Sequence, residues 1–77
     1  MDEKIESLLV EVLQLAPSTI TNDLAMKNLD AWDSLKHMEL VISLEQAFDL
    51  QLTFDDIVAM QSVREIKRVL RERGAVG

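Results

Sequence analysis

The chain has 77 residues, a net charge of −6, 48% apolar residues, three aromatic side chains and no cysteine. That length suits one small domain with a modest, mainly aliphatic core, and the lack of cysteine excludes disulfides, thiolate metal sites and thioester chemistry on a protein thiol. Residues 1–62 hold twelve acids against three lysines, while residues 63–77 hold five bases against two acids; an acidic body argues against nucleic acid as the main ligand and for basic protein partners.

The first element is a helix. Ile5, Leu8, Leu9, Val12, Leu13 and Ala16 recur at helical spacing. Asp2, Glu3 and Glu6 put negative charge in the first turn, and Asp2 can cap it. Pro17 stops the helix near Leu15. The opening Met1-Asp2-Glu3-Lys4 is acidic and no long apolar run follows, so neither a signal peptide nor a membrane span is expected, and a cytoplasmic location fits.

Residues 16–33 form a long connection rich in turn formers: Ser18, Thr19, Thr21, Asn22 and Asp23. Ile20, Leu24, Met26, Leu29 and Trp32 can pin it to the core, with a short turn at 23–27. Trp32 is expected to pack beneath the next helix, where it would fix the exposure of Ser34.

The second helix runs from about Ser34 to Asp49. Leu40, Val41, Leu44, Ala47 and Phe48 fall on one side, and Leu35, Met38 and Ile42 fall nearly opposite, beside Ser34 and near Glu39 and Glu45. The second group is either buried under another element or a surplus apolar strip for docking a partner. Leu50-Gln51-Leu52 reads as an extended linker. Thr53 then caps a short helix over about Phe54–Met60, with Asp55 and Asp56 in its first turn. Ser62-Val63-Arg64-Glu65 reads as a capping box for a last helix with Val63, Ile66, Val69 and Leu70 inward and Gly74 at its end. The expected fold is all-α: a four-helix bundle of three longer helices and one short one, with a long first loop. It occupies 1–77 as a single domain, ordered over about 2–72, with a flexible tail at 74–77.

Asp33 and Ser34 are both good N-caps, and a helix needs one. If Asp33 caps, the Ser34 hydroxyl is free in the first turn, close to unpaired N–H groups that favour a phosphate; on spacing alone, a capping or solvated serine serves as well. His37, the one histidine, is expected at the surface. A triad of Ser34, His37 and Asp33 would stand on one exposed helix end without a pocket or oxyanion hole, which argues against a hydrolase. The acids lack the spacing of a calcium loop, and no metal site is expected.

The order of elements carries more than any triplet. An amphipathic helix and a long loop precede Asp33-Ser34-Leu35; Glu39-Leu40 and Leu44-Glu45-Gln46-Ala47-Phe48-Asp49 follow, then a short helix and Ser62-Val63. Over about residues 2–72 this pattern resembles the acyl carrier protein family. The resemblance implies a covalent carrier, not an enzyme, with 4′-phosphopantetheine on Ser34 flanked by Asp33 and Leu35, and with acyl or aminoacyl groups held as thioesters on that arm. The implied partners are a phosphopantetheinyl transferase, a loading ligase or acyltransferase, and synthase or transferase enzymes with basic docking patches. They would meet a monomer through Leu35, Met38 and Ile42 and the acids Glu39, Glu45, Asp55 and Asp56. Lys36-His37 and Gln46 depart from the acids usual in fatty-acid carriers, and Trp32 is closer to specialised carriers. The resemblance implies service to a fatty-acid, polyketide-like or other specialised biosynthetic pathway, and the departures point to a dedicated one, such as polyketide-like, aminoacyl or modified-lipid assembly. An unmodified helical adaptor using the 35/38/42 strip is the alternative.

Overall fold

Helix α1 spans Asp2–Leu13 and buries Ile5, Leu9 and Leu13, one stripe of the periodicity that defines it. It stops two residues earlier than Pro17 alone would require. Gln14 turns left-handed at φ 58°, and the Leu15 N–H bonds the Val10 carbonyl at 3.2 Å, closing the end with a Schellman-type link. The computed structural model describes residues 2–75; the part of the expected flexible tail at 76–77 lies outside the described residues.

Helix α2 spans Ser34–Phe48, α3 spans Phe54–Ala59 and α4 spans Val63–Glu72. The all-α expectation holds: three longer helices, one short one, and no strand among the described residues. α1 packs along α2, and α3 packs on α4. Leu40, Val41 and Leu44 of α2 share one hydrophobic core with the inward residues of α1 and α4. Val63, Ile66, Val69 and Leu70 of α4 are all buried, as their spacing requires. Gly74 takes the left-handed conformation (φ 80°) just past α4, where a side chain would be strained.

The long first loop contains two single-turn 3₁₀ helices, Pro17–Thr19 and Met26–Asn28, rather than one turn at 23–27. It is pinned mainly to the start of α4. The Val63 and Arg64 N–H groups, free donors of that helix's first turn, bond the carbonyls of Leu24 (2.9 Å) and Asn22 (3.2 Å). Met26 N–H bonds the Gln61 carbonyl at 2.8 Å. Lys67, buried on α4, adds bonds to Glu6 Oε2 (2.8 Å) on α1 and Asn22 Oδ1 (2.9 Å) in the loop.

The caps divide between expected and altered. Thr53 and Asp56 form a complete capping box on α3, each side chain accepting the other's backbone N–H. On α4, Ser62 Oγ accepts the Glu65 N–H at 3.1 Å. Glu65 does not return the bond; its carboxylate pairs with Arg68 one turn on. The expected box is therefore half formed, because a nearby guanidinium offers the carboxylate a charged partner.

Candidate functional site

The loop ends at Asp33, whose side chain accepts the Lys36 N–H at 2.9 Å and caps α2. This decides between the two candidate caps. Ser34 becomes the first helical residue, exposed to solvent, and its hydroxyl has no hydrogen-bond partner among the described residues. The N–H groups of Ser34 and Leu35 likewise have no acceptor there, as expected at the positive end of a helix. A free hydroxyl sits beside free donors, and the nearby charges are mixed: the Asp33 carboxylate on one side, Lys36 on the other. Lys36 Nζ lies 3.3 Å from Glu39 Oε2, so one acid of this face is already partly neutralised.

Trp32 anchors the site from below and is 1% exposed. Its indole N–H donates to His37 Nδ1 at 3.0 Å. The second ring nitrogen of His37, Nε2, lies 2.8 Å from the Ile57 carbonyl of α3. An indole only donates and a carbonyl only accepts, so the ring is the tautomer with its proton on Nε2. The expectation of a surface histidine is corrected: His37 is buried, because its polar atoms find partners in the loop and in α3. Neither nitrogen is directed to Ser34, so the Ser34–His37 pair needed for a hydrolase is absent.

Leu35, Met38 and Ile42 form an exposed strip, at 69%, 45% and 50% exposure, on the edges of α2 away from Leu40, Val41 and Leu44. The structure leaves this strip uncovered within the chain. Phe54 and Val58 on α3 are exposed as well. The signal for their outward direction is their spacing of four, out of phase with the inward Asp56 and with Met60 just past the helix end.

The acidic positions separate. Glu39 and Asp55 are exposed. Glu45 is half-buried, and its Oε2 accepts the Leu52 N–H at 2.8 Å. Asp56 is buried and takes two bonds from the Arg73 guanidinium, at 2.8 and 2.9 Å. It is a structural clamp between α3 and the end of α4 more than a surface acid. The Arg73 bonds, aided by the Thr53 N–H, hold its pKa down at about 2. Because the folded value lies below the unfolded one, the clamp stabilises the fold above about pH 4 and is lost as pH falls towards 2. Asp56→Asn is expected to lower stability at pH 7 by about 1–2 kcal/mol. In urea unfolding the variant and wild type should converge as pH approaches 2; a gap as wide there as at neutral pH would contradict the clamp.

An open groove of about 430 Å³ lies between α1 and residues 17–20, lined by Glu3, Glu6, Ser7, Val10, Pro17 and Ile20. None of these residues belongs to α2 or α3. No helix among the described residues is long and apolar enough to cross a membrane.

The chain matches a family model described as a phosphopantetheine attachment site over residues 3–70. It is 27% identical to an acyl carrier protein of Bdellovibrio bacteriovorus over 71 residues, covering 92% of this chain and 91% of the relative. It is 26% identical to an acyl carrier protein of Amoebophilus asiaticus over 73 residues, covering 95% and 91%. A solved Mycobacterium tuberculosis chain, assigned as an acyl carrier protein, shares the fold with a TM-score of 0.83 at 24% identity, covering 94% of this chain and 96% of that one. With a family model spanning nearly the whole chain, this protein belongs to the acyl carrier protein family, whose members are covalent carriers of 4′-phosphopantetheine rather than enzymes.

Proposed function

We propose that residues 2–72 form one carrier unit and that Ser34 carries the 4′-phosphopantetheine. The observation that supports this best is the division of labour between neighbours. Asp33 does the capping, which leaves the adjacent hydroxyl exposed and uncommitted at a helix N-terminus. When attached, the group supplies the thiol that this chain lacks, on which acyl or aminoacyl intermediates travel as thioesters. The unpaired N–H groups of Ser34 and Leu35 would face the phosphodiester. Trp32 holds the loop before the serine, so that the hydroxyl stands clear of the core.

A phosphopantetheinyl transferase, a loading enzyme and synthase or transferase enzymes would each cover the surface around Ser34. Leu35, Met38 and Ile42 supply apolar area, while Glu39 and Asp55 supply exposed acids for Lys and Arg on the partner. Glu45 and Asp56 contribute less, since both carboxylates are engaged inside the chain. The Lys36–Glu39 pair makes the face less acidic than a row of free carboxylates. Together with Gln46, this favours partners of a dedicated biosynthetic pathway over those tuned to a uniformly acidic helix. The carrier works as a monomer that visits them in turn.

The test is the intact mass of the purified protein before and after incubation with coenzyme A and a broad-specificity transferase. A gain of one phosphopantetheine unit is expected. No gain, with the protein folded and the transferase active on a control carrier, would favour the adaptor reading of the 35/38/42 strip.

A further inference from the structure

The hydroxyl that the proposed function uses is bracketed by two buried residues that bond to one another. Trp32 lies two residues before Ser34 and His37 three after it. The indole N–H meets Nδ1 of the imidazole at 3.0 Å, and Nε2 of the same ring reaches the Ile57 carbonyl at 2.8 Å. The two flanks of the serine are thus joined at one imidazole, which in turn bonds a backbone carbonyl of α3. Among the described residues this is the only hydrogen bond between α2 and α3.

The bond matters because α3 is six residues long, too short to persist on its own. Its N-terminal end is held by the Thr53–Asp56 box and by Arg73. At its C-terminal end the Ile57 carbonyl otherwise accepts only the long 3.3 Å bond from the Met60 N–H, so His37 supplies the shorter of its two bonds. α3 itself packs on α4, not broadly on α2. Yet it carries Asp55 and the exposed Phe54 and Val58, part of the surface that an enzyme reaching Ser34 would cover.

We propose that His37 is a positioning residue. Through Trp32 on one side and Ile57 on the other, it locks the attachment loop, the start of α2 and α3 into one body, so that partner enzymes meet Ser34 and α3 in a fixed relation. This rests on the reading of Ser34 as the attachment site. His37 does not touch the reacting atoms. Its loss alters recognition, not the chemistry at the hydroxyl.

Two variants of the full chain separate this from a generic core role. His37→Leu fills similar space with neither donor nor acceptor; His37→Gln keeps one of each. Two readouts are used: amide hydrogen exchange resolved by residue, and steady-state loading by a broad-specificity transferase with coenzyme A. In His37→Leu, exchange protection at Met60 and the last residues of α3 should fall about tenfold relative to the cores of α1 and α4, as expected for losing one to two buried hydrogen bonds. In loading, its KM should rise about tenfold with kcat within about twofold. His37→Gln should recover most of both. If His37→Leu lowers the melting temperature but leaves α3 protection and KM at wild-type values in the folded protein, the proposal is overturned. If that variant fails to fold, Trp32→Phe, which keeps an aromatic ring and loses the indole N–H donor, should shift both readouts the same way, and wild-type values there would overturn it. A wild-type chain that takes up no phosphopantetheine would instead refute the Ser34 reading, and the exchange data would then decide the role of His37 alone.

Discussion

Ser34→Ala should take up no phosphopantetheine from coenzyme A while unfolding at nearly the same urea concentration as the wild type. The two halves of this result come from the same geometry. Loading needs a nucleophilic oxygen on the side chain, and alanine has none, so the effect on modification is complete, not graded. Stability should hardly move, because the Ser34 side chain is exposed and makes no hydrogen bond among the described residues. Substitutions at such positions usually change stability by less than about 0.5 kcal/mol. Had Ser34 been the cap of α2, the alanine variant would lose about 1 kcal/mol. Asp33 holds that role through its 2.9 Å bond to the Lys36 N–H. A variant that remains loadable would show that another hydroxyl accepts the group. A variant that is both unloaded and strongly destabilised would show that Ser34 supports the helix end after all.

Trp32→Ala should cost about 3–5 kcal/mol, the range for removing a large buried aromatic side chain. Trp32 is the largest side chain in the core and is almost wholly buried. Truncation also leaves His37 Nδ1 without its donor, inside a region where an unmet acceptor is expensive. A domain of this size is stable by only about 5–10 kcal/mol. The variant should therefore sit close to unfolding at ambient temperature, and the loop before Ser34 should lose its anchor. Trp32→Phe should avoid most of that loss, costing about 1–2 kcal/mol, through the missing N–H donor and the smaller ring. Urea unfolding followed by far-ultraviolet circular dichroism measures both, since the fluorescent residue is itself removed. A cost below about 1 kcal/mol for Trp32→Ala would mean that the side chain is not the anchor described here.

The helices themselves were legible where period and punctuation agreed. The stripes of α1 and α4 and the two-sided pattern of α2 appear in the structure as the spacing implies, and Thr53, Ser62 and Gly74 sit at the ends they mark. Asp33 and Ser34 could not be ranked as caps from residue type alone, since both side chains suit the position; the backbone of the loop decides which one points at the helix. The burial of His37 is not legible in the sequence because its partners are remote from local pattern. One lies on an irregular loop and the other is a carbonyl twenty residues away. A lone polar residue on a helix gives no sign of such partners. The same limit hid the Asp56–Arg73 clamp, where an acid in a first turn looks like any other acid until a distant guanidinium is folded against it. The early end of α1 rests on Gln14 in a left-handed conformation, to which glutamine has no special tendency. The bond that closes this end runs from the Leu15 N–H to the Val10 carbonyl, and no residue type in the segment announces it.

The most direct measurement is a tryptic peptide map of the wild-type protein after loading. Cleavage at Lys27 and Lys36 releases Asn28–Lys36, in which Ser34 is the only hydroxyl-bearing side chain. The account predicts that the whole phosphopantetheine mass travels with that peptide and fragments to Ser34. Mass found instead on a peptide containing Ser18, Ser43 or Ser62, or none at all while a control carrier is fully loaded, would contradict it.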